Sequence, residues 1–137
     1  MTFIDSNIVV YSYDETDPVE QLKAQQEMKN IMEGGEGCVS TQVFGEFFHT
    51  VVVRKKLMSP MEALSAIQRL ERGFRIGSIE PSLVRDAIAI HQRYQLRYWD
   101  SLIIATAKRM KCVEVLSEDM ADGQDYGGVI VRNPFKP

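Results

Sequence analysis

An α/β fold built on a short parallel sheet is the class this sequence predicts, and three observations predict it. Short apolar runs alternate along the chain with longer segments of helical periodicity, the pattern of strands crossed over by helices. Helix start and stop signals separate the two kinds of segment. Two acids, Asp5 and Asp119, stand just past the carboxyl ends of apolar runs, where open parallel sheets bind their ligands. The chain has 137 residues, and no repeat, long linker or low-complexity tract divides it. Residues 1–137 therefore read as a single domain.

Thr2-Phe3-Ile4 reads as a buried strand, with Asp5 as N-cap of a following helix. Asp17-Pro18 supplies a cap and then proline at the first helical position. That helix runs through Leu22 and Met28 to about Met32, and Gly34-Gly35 end it. Cys38-Val39 is a second strand. Ser40 or Thr41 caps a helix carrying Val43, Phe44, Phe47, Phe48, Val51 and Val52. Ser59-Pro60, with Glu62, opens another helix that ends near Gly73. Arg75 to Ile79 is a third strand. Pro81 to Gln95 is helical, with Leu83, Ala87 and Ile90 on one face. Asp100 caps a nearly all-apolar helix, Leu102 to Ala107, whose composition requires burial. Val113 to Leu116 is a fourth strand and Val129-Ile130-Val131 a fifth.

Composition bounds the function. Hydrophobic residues are 45% and charged residues 26%, the balance of a soluble globular protein, and no apolar run reaches the ~18 residues of a membrane span. Met1 to Asp5 lacks the basic and long apolar regions of a signal peptide. Cys38 and Cys112 stand far apart without CxxC spacing, so they read as buried, inert thiols of a reduced, cytoplasmic protein. The net charge of −3 argues against binding duplex DNA by bulk charge. Basic clusters at Arg54-Lys55-Lys56, at Arg69, Arg72 and Arg75, and at Lys108, Arg109 and Lys111 read singly as solvated helix faces and ends. No phosphate-binding, dinucleotide-binding or nucleophile-elbow glycine motif is present, so NTPase, dinucleotide and serine-hydrolase chemistry have no support.

Four acids sit where acids are expensive: Asp5, Glu46, Asp100 and Asp119. An ionised carboxylate near a core is costly unless paired or bound to a cation. Singly, each has a bland role. Asp5 and Asp100 are helix caps, and Asp119 is a turn residue in Ser117-Glu118-Asp119. Glu46 is harder to dismiss, because at about 100° per residue it falls beside Val43 and Thr50, on the edge of an apolar face. If the strands ending at Asp5 and Asp119 are neighbours, their carboxylates converge. Like charges held close raise each other's pKa unless a cation is present. All-oxygen ligation favours Mg²⁺ or Mn²⁺, which accept only one or two protein carboxylates directly. Such ions activate water and stabilise displacement at a phosphodiester.

These residues fall in segments that resemble a known family. Phe3-Ile4-Asp5-Ser6-Asn7-Ile8-Val9-Val10-Tyr11, Thr41-Gln42-Val43-Phe44-Gly45-Glu46-Phe47, Tyr98-Trp99-Asp100-Ser101-Leu102-Ile103-Ile104-Ala105 and Leu116-Ser117-Glu118-Asp119-Met120 resemble, in order, the four motifs of PIN-domain ribonucleases. Order, spacing and length match the VapC-type toxins of bacterial toxin–antitoxin pairs. The resemblance covers essentially the whole chain. It implies a three-layer α/β/α domain and an Mg²⁺-dependent endoribonuclease in which Asp5, Glu46, Asp100 and Asp119 are the catalytic and metal-binding acids. It also implies that Asn7 orients an acid and that Ser117 touches water or phosphate. The partners it implies are an RNA substrate, a small antitoxin covering the site, often with an arginine, and a second copy in a homodimer.

The rival reading is a catalytically idle module of the same fold that binds RNA or an antitoxin. Crowded negative charge gains such a binder little. A phosphatase or receiver-like domain would carry a second acid directly after Asp5, where Ser6 and Asn7 stand instead. Asp119 to Asp125 lacks calcium-loop spacing, and Asp122-Gly123 and Gly127-Gly128 read as turns. Glu118, Asp122 and Asp125 flank Asp119 and leave open which acids of that loop act. His49 and His91 are isolated. Trp99, Tyr98 and Tyr94 are able to stack on an unpaired base, although Trp99 beside a buried helix reads as core or interface. Phe44, Phe47 and Phe48 read as core or a dimer face.

Overall fold

A computed structural model describes residues 1–137. Five parallel strands form one sheet: β1 (Thr2–Ile4), β2 (Gly37–Ser40), β3 (Arg75–Gly77), β4 (Glu114–Leu116) and β5 (Ile130–Arg132), in the order β3-β2-β1-β4-β5. Phe3, Ile4, Val39, Val115 and Leu116 are fully buried, as parallel strands covered on both faces must be. The third strand is shorter than the sequence run, stopping at Gly77, and the fifth is shifted one residue onward.

Helices α1 (Ser6–Tyr11), α2 (Pro18–Gly34), α3 (Thr41–Phe48) and α4 (Pro60–Gly73) lie along the chain between β1 and β3. Helices α5 (Pro81–Tyr94) and α6 (Tyr98–Arg109) lie between β3 and β4. The chain steps from β1 to β2 to β3 in one direction, then returns across the sheet to β4. Right-handed crossovers therefore place α1–α4 on one face and α5–α6 on the other. The reversal falls between β1 and β4, and the crevice past their carboxyl ends is the natural ligand position in such a sheet.

Local sequence sets the boundaries. Ser59 and Glu62 form a full capping box: the Ser59 hydroxyl accepts from the Glu62 amide at 3.2 Å, and the Ser59 amide donates to Glu62 at 3.0 Å. Gly35 ends α2 in the left-handed region at φ 70°. Ser40, not Thr41, caps α3, accepting from the Val43 amide at 3.4 Å. Asp17 starts α2 through Pro18 alone, since its side chain makes no capping bond. Past Phe48 the expected helix continues, but as a π-helical segment, His49–Arg54. Its wider turn keeps Val51 buried while His49, Thr50 and Arg54 reach a surface cleft. Such turns recur at functional sites.

The last helix corrects one expectation. Asp100 does not cap it. Arg97, at φ −51° and ψ 140°, occupies the cap position, and its carbonyl accepts the first helical bond from the Ser101 amide at 2.8 Å. Tyr98, Trp99 and Asp100 form the first turn, so the helix starts four residues before Leu102. Its residues from Asp100 to Ala107 are all buried.

Leu116 is fully buried in the main core and carries Ser117 into the crevice. Leu116→Ala is expected to lower the unfolding free energy by about 2–5 kcal/mol, read as a shifted urea midpoint at unchanged slope.

Candidate active site

Three registered pairs join β1 to β4: Thr2 with Glu114, Phe3 with Val115 and Ile4 with Leu116. The Asp5 amide extends the ladder by donating to the Leu116 carbonyl at 3.0 Å. The next side chains then meet. Ser117 Oγ donates to Asp5 Oδ2 at 2.7 Å. Asp5 also caps α1, accepting from the Ser6 amide at 2.7 Å through its other oxygen, so the cap reading holds beside the crevice position.

Asn7 joins the two strand ends. Its Nδ2 donates to Asp5 Oδ2 at 3.3 Å and to Asp119 Oδ2 at 3.0 Å, and its Oδ1 accepts from the Glu118 amide at 3.1 Å. Ser117 Oγ also accepts from the Asp119 amide at 3.2 Å, which turns the chain so that the exposed Asp119 faces Asn7. Glu118 points to another partner, accepting from the Tyr11 hydroxyl at 3.2 Å. Asp122 and Asp125 are turn acceptors, for the Asn133 and Gly128 amides respectively.

The other two acids come from helices. Glu46 is half-buried on α3, accepting from Ser6 Oγ at 3.1 Å and from Gln42 Nε2 at 3.4 Å. Asp100 is buried, and the Arg97 guanidinium grips both its oxygens, Nη2 to Oδ1 at 2.9 Å and Nε to Oδ2 at 3.3 Å. Burial drives the Asp5 carboxyl up to about 7. Ser117 and the Ser6 amide oppose the rise, and the like charges of Glu46 and Asp100 add to it. Glu46 is raised by its own burial, against the hydrogen bonds from Gln42 and Ser6. Arg97 is pushed up by its bond to Asp100 and by the charges of Asp100, Asp119 and Glu46. One arginine thus senses three acids.

A family model for the PIN domain matches residues 2–121. The chain belongs to the PIN-domain family. None of the curated proteins compared with it matches in sequence. Among solved structures, this PIN domain is similar to VapC20 of Mycobacterium tuberculosis, a toxin that cleaves the sarcin–ricin loop. The TM-score is 0.68 at 16% identity, over 87% of this chain and 90% of that one. A toxin–antitoxin complex from Klebsiella pneumoniae gives 0.68 at 20% identity over the full length of both chains. VapBC2 of Rickettsia felis, bound to a promoter DNA fragment, gives 0.70 at 13% identity over 96% and 97%. At these identities the likeness is one of fold: a five-stranded parallel sheet with helices.

The residues of this PIN domain suit a divalent cation only after one movement. No three of its acids, histidines or cysteines converge to chelating distance as they stand. Arg97 holds Asp100, and Asn7 holds Asp5 and Asp119. The arginine side chain is 60% exposed, so no packing encloses it on the solvent side. With Arg97 displaced, the Asp100 carboxylate and the desolvated Asp5 would be the oxygens to offer the one or two direct contacts that Mg²⁺ accepts.

Reading the sequence missed three residues of this site. Arg97 stands three before Asp100, and Gln42 four before Glu46. Both spacings put side chains on one helix face and were available as signals. Ser6, adjacent to Asp5, carried none. Trp99, read as core or interface, is half-exposed and so is not core.

The titrations have a stability consequence. A carboxyl raised from 3.8 to about 7 is protonated in the folded protein and ionised in the unfolded chain between those values. The folded state binds the extra proton there, so metal-free stability falls as pH rises from about 4 to 7 and levels off above. Glu46 adds a fall of the same sign. Chemical denaturation across this range is expected to show the slope in the parent and a shallower one in Asp5→Asn.

Proposed function

We propose that this PIN domain is a metal-dependent endoribonuclease of the VapC type, the toxin of a toxin–antitoxin pair. The observation that carries the reading is the crowding of Asp5, Glu46, Asp100 and Asp119 around one crevice, with Asp5 too desolvated to hold its charge unaided. Such a cluster is wasteful in a binding surface and useful around a cation.

A bound Mg²⁺ or Mn²⁺ would supply a water of lowered pKa and neutralise charge developing on the phosphate. Asp5 and Asp100 are the closest contacts in this reading, with Glu46 and Asp119 completing the site or holding its waters. Asn7 and Ser117 orient the Asp5 carboxylate through the bonds described. Arg97, once off Asp100, carries a guanidinium suited to a phosphate oxygen. A cleft of about 590 Å³ runs from Asp119, Arg97 and Glu46 to Arg54 and Lys55. Its acidic end suits the reaction and its basic end the backbone of a single strand.

Support for a protein partner comes from the fold neighbours, two of which are VapBC assemblies bound to DNA and one a toxin–antitoxin complex. An antitoxin covering the cleft, and a homodimer, belong to the same proposal. No helix is long and apolar enough to cross a membrane; a cytoplasmic site of action goes with the RNA substrate.

Asp5→Asn and Asp100→Asn are each expected to abolish Mg²⁺-dependent cleavage of a structured RNA, with circular dichroism unchanged. Full residual activity in both would remove the assignment, and RNA binding without cleavage in the parent would favour an idle module. Arg97→Gln frees the Asp100 carboxylate and removes a competing positive charge. It is expected to bind Mn²⁺ several-fold more tightly by calorimetry while cleaving RNA more slowly.

A further inference from the structure

Beside Glu46 a second recess, of about 360 Å³, opens between the first turns of α3 and α6. Gly45 and Glu46 line both it and the larger cleft, so the two are continuous. Its apolar wall is Trp99, the chain's one tryptophan, 51% exposed. That ring is not loose. Tyr98 braces it at 4.9 Å and 75°, and Tyr98 in turn packs against the buried Leu83, Ala87, Leu102 and Ala105.

Two further residues shape the recess. Nothing lies within 4 Å of where a side chain at Gly45 would begin, so glycine leaves the passage between recess and cleft open. Gln42 ties the recess to the acids, its Nε2 donating to the Trp99 carbonyl at 3.0 Å and to Glu46 Oε2 at 3.4 Å. Its carbonyl oxygen is buried and meets no donor. A buried acceptor left unpaired is destabilising, and such groups in folded proteins call for a partner.

The occupant these features fit is neutral and flat. Glu46 at the lip repels a phosphate, whose place is the Arg54 and Lys55 end. We propose that Trp99, Gln42 and Gly45 form a nucleobase subsite. One unpaired base of the RNA stacks on the Trp99 indole beside the scissile phosphate, with Gln42 and Gly45 forming the floor beneath it. Aromatic platforms of this kind hold single-stranded RNA with little sequence preference, because every base has a π face. The subsite rests on the ribonuclease reading and adds to it an orientation of the strand in the cleft: base at Trp99, backbone toward Lys55.

The single tryptophan makes the test direct. Asp5→Asn protein in Mg²⁺ is titrated with a short unstructured oligoribonucleotide bearing a fluorescein, and anisotropy and tryptophan emission are followed together. Emission is expected to quench with the same midpoint as the anisotropy rise. In that background Trp99→Ala is expected to weaken binding about 10-fold, and Trp99→Phe to retain most of it. Gly45→Leu is expected to weaken binding and abolish the quench, by filling the passage at an exposed helix position without touching the acids. Binding with no quench and no effect of these changes overturns the subsite and leaves the nuclease reading standing. No binding of any RNA overturns both.

Discussion

Asp5 and Ser117 meet at 2.7 Å because the β1–β4 ladder delivers both at the same level of the sheet. That contact constrains the rest of the crevice. Ser117 donates to Asp5, accepts from the Asp119 amide and meets Asn7 Nδ2 at 3.3 Å. One hydroxyl therefore fixes the rotamer of a buried acid and the turn that carries an exposed one. The ladder is held in turn by Phe3, Ile4, Val115 and Leu116, fully buried side chains that tolerate no shift in register. A slip of one residue would bring Glu118 opposite Asp5 and leave a buried carboxylate without its donor.

The crevice is balanced between like charges and the groups that restrain them. Burial and two neighbouring acids push Asp5 toward its neutral form, while the Ser117 hydroxyl and the Ser6 amide hold it toward the charged one. Arg97 sets a full positive charge 2.9 Å from the Asp100 carboxylate. Buried acids paired this way are costly to assemble and cost more when one partner is removed. A fold optimised for stability alone would replace them with apolar side chains. Their presence at the topological switch point is what supports the proposal of a cation in the crevice.

Elsewhere charge serves structure. Asp14 is buried, lies 2.9 Å from Lys55 Nζ and is lowered to about 2 by its bonds to Thr16 and Lys55. Arg132 joins β5 to α2 through Glu27 and to β4 through Glu114. Cys38 and Cys112 are buried free thiols, in line with their reading as inert. Of these groups only Lys55 also lines the cleft that holds Glu46 and Asp119.

How much was legible follows from the range of each signal. Proline starts, glycine stops and the Ser59–Glu62 box are local, so the sequence placed most helices within a residue or two. The apolar runs located the strands. The helical wheel put Glu46 on the edge of an apolar face, and strand ends put Asp5 and Asp119 at a common mouth. Strand order was not local, and only the tertiary structure made β1 and β4 neighbours. The start of α6 also escaped, because its cap is the backbone of Arg97 and not an acidic side chain. So did the grip of Arg97 on Asp100 and the exposure of Trp99, which depend on what packs against the first turn. The sequence by itself determined the elements and the four acids; the tertiary structure decided which oxygens meet, because hydrogen-bond partners 110 residues apart, as Asn7 and Ser117 are, are chosen by packing and not by propensity.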